Sequence, residues 1–305
     1  MKQIVIIALA LLTAVSVLSC QSGVPSNNTG KKSIVVTYSI LGSIVKELVS
    51  DKATVTVSIP NGLDPHEWEP SAKDIEAINK ADLVIQNGLG LEGGMQKTLE
   101  VAQSNGVKFF TASDYITVRH VGSGEGIPSG DPDQVLGAAD PHLWMDPVTM
   151  KSVVAALAPV LKETLNLDVS VQATALENRL DNLNNEITST VSVLPMANRK
   201  LVTGHESMGY FAQRYNFKLV GVIVPSLSSQ ADVSAADMAG LKKAIQDNST
   251  KAIFSELGTS AAVAKTIGEE TGVQVVELST HVLPPDGSYF TFMRNIANTI
   301  TNALK

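Results

Sequence analysis

Four of the five histidines in this 305-residue chain, His66, His142, His205 and His281, stand in short segments beside glycine, proline or carboxylates, two in each half. Imidazoles placed that way do not build a core. Neutral imidazole is the commonest protein ligand for a transition metal, and four of them point to one ion held between two halves of the molecule. The single cysteine, Cys20, leaves no thiolate for that ion and no internal disulfide. Three or four imidazoles with at most one carboxylate favour a borderline ion such as Zn2+, whereas Mn2+ prefers more oxygen. Nickel or copper would also enter such a site in vitro, because raw affinity follows the Irving–Williams order.

A ligating imidazole usually gives its second N–H to a carboxylate or carbonyl, and Glu67, Glu206 and Glu256 are the acids expected to receive one. Trp68 and Trp144 are expected to wall the cleft or pack against a lobe. The fifth histidine, His120, is expected to be exposed. With water in the fourth position and Glu67 or Glu206 as general base, the same set would make a zinc hydrolase. However, His205-Glu206 does not open a His-Glu-x-x-His helix, because Gly209 stands where the second histidine is required. A receptor with no catalytic residues is the expectation. A surface adhesin is the other rival, and nothing in these residues encodes one.

The elements that must position these side chains follow an α/β rhythm. An apolar, β-branched run over Ser33–Tyr38 leads into a helical pattern from Ile40 to Val49 and an alternating strand from Ala53 to Ile59. A helix near Ser71–Asn79, a strand over Asp82–Gln86, a helix over Met95–Gln103 and a strand over Val107–Phe110 continue it. The segment from Arg119 to Ala139 has no apolar period and reads as a mobile surface loop. A helix starts at Asp146-Pro147 and runs to Leu165, and a longer, more polar one spans Val169–Leu194, ended by Pro195.

The rhythm then restarts with strands at Lys200–Thr203, Lys218–Val224, Ala252–Ser255 and Val273–Leu278. Helices over Met208–Tyr215, Ala235–Asp247, Ser260–Thr271 and Phe290–Leu304 separate and close them. The expected fold is therefore α/β, with two similar lobes of parallel sheet flanked by helices. Residues 33–168 form the first lobe, 169–194 one long rigid joining helix and 195–305 the second lobe. His66, His205 and His281 follow strand ends and His142 precedes a helix, positions where open α/β sheets gather ligands.

Residues 1–19 read as a secretory signal: Lys2, an apolar run from Ile4 to Leu18, and a lipobox ending Val17-Leu18-Ser19-Cys20. Lipid attachment at Cys20 and a polar tether over residues 20–32 are expected to hold the mature protein on the membrane outside the cytoplasm. The remainder, 44% hydrophobic and 17% charged over the whole chain, is globular in composition. A net charge of −7 without a Lys/Arg-rich run excludes nucleic acid as a natural partner and suits a cation. One competing motif remains: Gly88-Leu-Gly90-Leu-Glu-Gly93 has the glycine spacing of a dinucleotide fingerprint, with Asp114 about twenty residues on. A protein outside the cytoplasm has no obvious supply of such a cofactor.

The segments PNGLDPHEWEP, DPHLWMDP, TGHESMGYFAQRY and SELGTS resemble, in order and over nearly all of the mature chain, those of the TroA-like solute receptors. These are lipoproteins that deliver zinc or manganese to ATP-binding cassette importers. The resemblance implies two α/β lobes joined by a long helix, a divalent cation in the cleft, and a membrane permease as partner to a monomeric receptor. It implies His66 and His142 as ligands from the first lobe and His205 from the second. Many similar members carry an aspartate at the fourth position; here His281 is the best-matching residue, with Asp286 five residues later as the alternative. Related manganese receptors commonly carry glutamate where His205 stands, which favours zinc here. The loop before His142, rich in histidine and acid in many zinc receptors, holds only His120, Glu125, Asp131 and Asp133.

Overall fold

The structure, a computed structural model, describes residues 30–122, 125 and 136–305. The leader, Cys20 and most of the expected tether lie outside those residues, as do Asp131, Asp133 and most of the segment read as a mobile loop. Among the described residues no helix is long and apolar enough to cross a membrane.

In the first half, β1 (Lys32–Tyr38) sits inside a four-stranded sheet of order β2-β1-β3-β4, with β2 (Ala53–Ile59), β3 (Leu83–Gln86) and β4 (Phe109–Thr111). Every pairing is parallel, as strands joined through helices require. Those helices are α1 (Ser39–Val49), α2 (Ala72–Asn79) and α3 (Gln96–Ser104). The period of two along β1 divides its side chains between layers. Ile34, Val36 and Tyr38 enter the main core, and Val35 packs with Ile59, Ile78, Val84 and Met95 on the other face.

The second half repeats the plan with shorter strands. Two parallel pairs, β5 (Lys200–Thr203) with β6 (Lys218–Val222) and β7 (Ala252–Ser255) with β8 (Gln274–Glu277), form separate two-stranded sheets, β5 lying alongside β7. α4 (Pro147–Leu165) ends the first half and α5 (Ser170–Ser192) joins the two, while α6 (Gly209–Tyr215), α7 (Ala235–Asp247), α8 (Ala261–Thr271) and α9 (Tyr289–Leu304) belong to the second. β6 stops two residues short of the expected Val224, after a register irregularity at Leu201/Val202. Ile223 and Val224 still donate to the Thr203 and Gly204 carbonyls, so the chain continues beside β5 as it turns towards the cleft.

The helix starts follow local chemistry. Asp146 caps α4 by accepting from the Val148 amide, with Pro147 at the first helical position. Capping boxes at Ser71/Asp74 and Ser234/Asp237 start α2 and α7. The 23-residue α5, about 35 Å long at the helical rise, buries Ala173, Leu176, Leu180, Leu183, Ile187 and Val191 as one stripe. It packs against α4 and α1 of the first half and α9 of the second. Its Arg179 pairs with Glu47 on α1 while lying 4.0 Å over the Phe290 ring on α9. The main core accordingly runs through both halves, and Lys31–Lys305 form one compact unit. The halves are lobes sharing a core around a common rod.

Candidate metal centre

The loops after β2, β5 and β8 and the segment before α4 bring four imidazoles together. One nitrogen from each of His66, His142, His205 and His281 lies within 4.8 Å of every other, and all four residues are buried. Ring centroids are 5.0 to 6.0 Å apart. His142 Nε2 and His205 Nε2 are 3.2 Å apart, close to the roughly 3.3 Å separating two tetrahedral ligands each about 2.0–2.1 Å from zinc. His66 Nε2 and His281 Nε2 are buried with no protein partner. Four nitrogens this close together fit a single cation, which would satisfy the two that no protein group satisfies.

The titration behaviour agrees. Burial, then the proximity of His142, pushes His66 down to about 3. Burial followed by the neighbouring imidazoles likewise lowers His205 and His281. At neutral pH these three rings are uncharged, with lone pairs available to a metal.

Two of the four rings are fixed from behind by hydrogen bonds that end on buried carboxylates. His142 Nδ1 stands 2.9 Å from Asp140 Oδ1, which also accepts from the His142 amide at 3.0 Å. A proton on Nδ1 leaves Nε2 free to face the cluster. Asp140 Oδ2 in turn pairs with Arg119 Nη1 at 3.0 Å, and Arg119 also bonds Glu125. His281 Nδ1 bonds Thr280 Oγ1 at 2.9 Å, and that hydroxyl donates to Glu256 Oε2 at 2.7 Å. The same carboxylate accepts from Ser207 at 2.6 Å and from the Gly204 amide at 3.1 Å. His205 Nδ1 lies 3.3 Å from Glu256 Oε2 without hydrogen-bond alignment, so this contact is electrostatic. Burial pushes Glu256 up to about 7 against those three hydrogen bonds. A side chain at Gly204 would collide with Thr259 and crowd Glu256.

His66 is held differently. Its amide donates to Asp64 Oδ1 at 3.0 Å and its carbonyl accepts from Gln230 Nε2 at 3.0 Å, while Asp64 Oδ2 accepts from Ser229 at 2.6 Å. The Gln230 and Ser229 bonds cross from the first half to the second, as does the reciprocal pair between the Asn61 side chain and the Leu283 backbone.

Of the acids named from the sequence, only Glu256 reaches the imidazoles. Glu67 faces solvent, because the turn that buries His66 points the next residue outwards. Glu206 is buried beside Asp140 and Arg119, where desolvation and then Asp140 push it up to about 7. Asp286 is exposed and bonds the Ser288 amide and Thr291 hydroxyl at the start of α9, so it does not supply the fourth group. Asp140 and Asp64, missed above, were signalled by a repeated Asp-Pro-His: residues 64–66 and 140–142. Trp144 is buried, edge-on to His142 and His281 at 5.3 and 5.4 Å, and Trp68 packs against a core cluster of the first half. His120 is exposed and bridges to Ala139.

Gly88 and Gly90 do adopt positive φ, +87° and +78°, but the turn is filled. The buried Glu92 carboxylate accepts from the Asn87 and Gly88 amides at 2.7 and 3.2 Å. A carboxylate therefore takes the turn amides that would face a pyrophosphate, which argues against the nucleotide reading.

Two α/β lobes on a shared helical rod, with a buried histidine cluster between them, define a solute receptor of the metal-uptake class. Residues 34–303 match the family model ZnuA, zinc-uptake complex component A, periplasmic, and the chain belongs to that family of receptors for ABC transporters, which are not enzymes. Among curated relatives it is similar to the manganese-binding lipoprotein MntA of Halalkalibacterium halodurans, 26% identical over 98% of this chain and 97% of that one. It is also similar to the high-affinity zinc uptake protein ZnuA of Bacillus subtilis, 29% identical over 90% and 86%. A crystal structure of ZnuA superposes with a TM-score of 0.76 at 25% identity, covering 90% of this chain and all of that one. TroA of Treponema pallidum, at 24% identity, shares the fold with a TM-score of 0.75 over 90% and 99%.

Proposed function

We propose that the protein captures one Zn2+ with His66, His142, His205 and His281 and delivers it to an ATP-binding cassette permease. In this reading it is a monomer held outside the cytoplasm by lipid at Cys20. The relatives' names, which include lipoproteins and ABC transporter substrate-binding proteins, support anchor and partner. The observation that carries the choice of metal is the donor set: four imidazoles and no carboxylate in the group. That set suits zinc, whereas Mn2+ would meet too few oxygens. Relatives named for manganese make it the competing cargo. A four-nitrogen tetrahedron also leaves no corner for the water a hydrolase needs.

Elemental analysis of protein purified without added metal should find about one equivalent of zinc, as one four-ligand site requires, and excess Mn2+ should not displace it. Recovery of manganese, or its displacement of zinc at comparable concentration, would overturn the assignment.

A further inference from the structure

The turn with the dinucleotide-like spacing does not bind a phosphate, yet it is built at some cost. Gly88, Leu89 and Gly90 all have positive φ, which Leu89 adopts against its own side chain. The Asn87 side chain is 1% exposed, and its Oδ1 has no partner. A buried, half-satisfied amide is a liability that an apolar residue of similar size would not carry. What Asn87 does with its other end explains its presence. Its Nδ2 donates to the Gly88 carbonyl at 3.0 Å and, across 54 residues, to the Pro141 carbonyl at 2.8 Å.

Pro141 directly precedes His142, and its carbonyl belongs to the peptide unit whose N–H is the His142 amide. That amide is bonded to Asp140, so this one peptide plane is held at its nitrogen by Asp140 and at its oxygen by the local Leu143 amide at 2.9 Å and, from a distant turn, by Asn87. The grip on the oxygen is anchored in turn. Glu92 Oε1 accepts from the Asn87 amide and from Thr37 Oγ1, both at 2.7 Å. The next residue after Thr37, Tyr38, lies 4.9 Å from Trp144 between ring centroids and donates to the His281 carbonyl at 3.4 Å.

We propose that the Asn87–Glu92 turn is the frame that sets the height of His142 in the metal cluster, with Asn87 a positioning residue acting through the Pro141 carbonyl. The inference rests on the histidine cluster binding metal. It assigns the glycine-rich turn to the site's outer shell, where loss of a partner typically lowers metal affinity about 10- to 100-fold.

The test uses Asn87→Leu, which keeps the volume and removes the donor, and Asn87→Ser, too short to span to Pro141. Zinc affinity is read by chelator competition, geometry by the ligand-field bands of the Co2+-loaded protein, and folding by thermal melts in EDTA. Expected in whichever variant folds are a loss of at least about tenfold in zinc affinity and shifted Co2+ bands. Unchanged affinity and bands, with only a lower melting temperature, would overturn the proposal by showing a purely structural role. Wild type and His142→Ala are measured alongside. If wild type binds no zinc, or His142→Ala binds it normally, it is the metal assignment that fails.

Discussion

The chain contains the same turn twice, Asp64-Pro65-His66 and Asp140-Pro141-His142, and the two copies are wired differently. In both, the aspartate accepts from the histidine amide two residues on, at 3.0 Å, the local bond that makes Asp-led turns stable. Beyond that they diverge. Asp140 also reaches the His142 ring and is charge-balanced by Arg119 within the same lobe. Asp64 bonds no imidazole nitrogen and spends its second oxygen on Ser229 of the opposite lobe. One copy therefore orients an imidazole ring, and the other ties a histidine's backbone turn to the opposite lobe. A ring whose Nδ1–H meets a carboxylate is a more basic and better-oriented donor than one held by its main chain alone.

If that difference matters, His142→Ala should lower zinc affinity by more than about a hundredfold, exceeding the range for outer partners, and His66→Ala should cost less. Equal losses by competition titration would show that the outer wiring contributes nothing. Next in size, Asp140→Asn should weaken binding by about 10- to 100-fold, whereas Asp64→Asn, which touches no ring, should fall below that range. Glu256→Gln should resemble Asp140→Asn, because one carboxylate backs both His281, through Thr280, and His205.

The smallest effect concerns the metal-free protein and pH. His66 has a folded value of about 3, below its ordinary one, so between about 6.5 and 3 the unfolded chain binds a proton that the folded chain does not. Stability is therefore full above the unfolded value and falls as the solution is acidified, by up to about 1.4 kcal/mol per pH unit for this ring. His205 and His281 act in the same direction. Melting temperatures in EDTA should fall from pH 7 to pH 5, and His66→Ala should flatten part of that slope. A flat wild-type profile would contradict the burial of neutral rings.

Strand and helix order was legible because each run carried its own period and punctuation: β-branched segments, Asp146-Pro147 at a helix start and Pro195 at a helix end. The four histidines were legible because each stood among turn residues where no core residue belongs. What could not be read was direction. Glu67 and Glu206 adjoin two of the clustered histidines in sequence, yet in a turn adjacent side chains point apart, so one meets water and the other lies near Asp140 and Arg119. Asp286 lay close to His281 in the chain but serves the start of α9. Asn87 was missed because its partner Pro141 lies 54 residues away, whereas Asp140 stood two residues from His142 in a repeated Asp-Pro-His that went unread. The two-lobe plan was visible, whereas the core shared through α5 was not, since the helix's apolar stripe does not say which half it faces.

The most direct measurement is zinc K-edge absorption fine structure on the loaded protein. Four nitrogen scatterers at about 2.0–2.1 Å, with the multiple-scattering signature of imidazole and no oxygen, are predicted. A shell containing carboxylate or water oxygen, or fewer than three imidazoles, would contradict the claim that the four histidines together form the site.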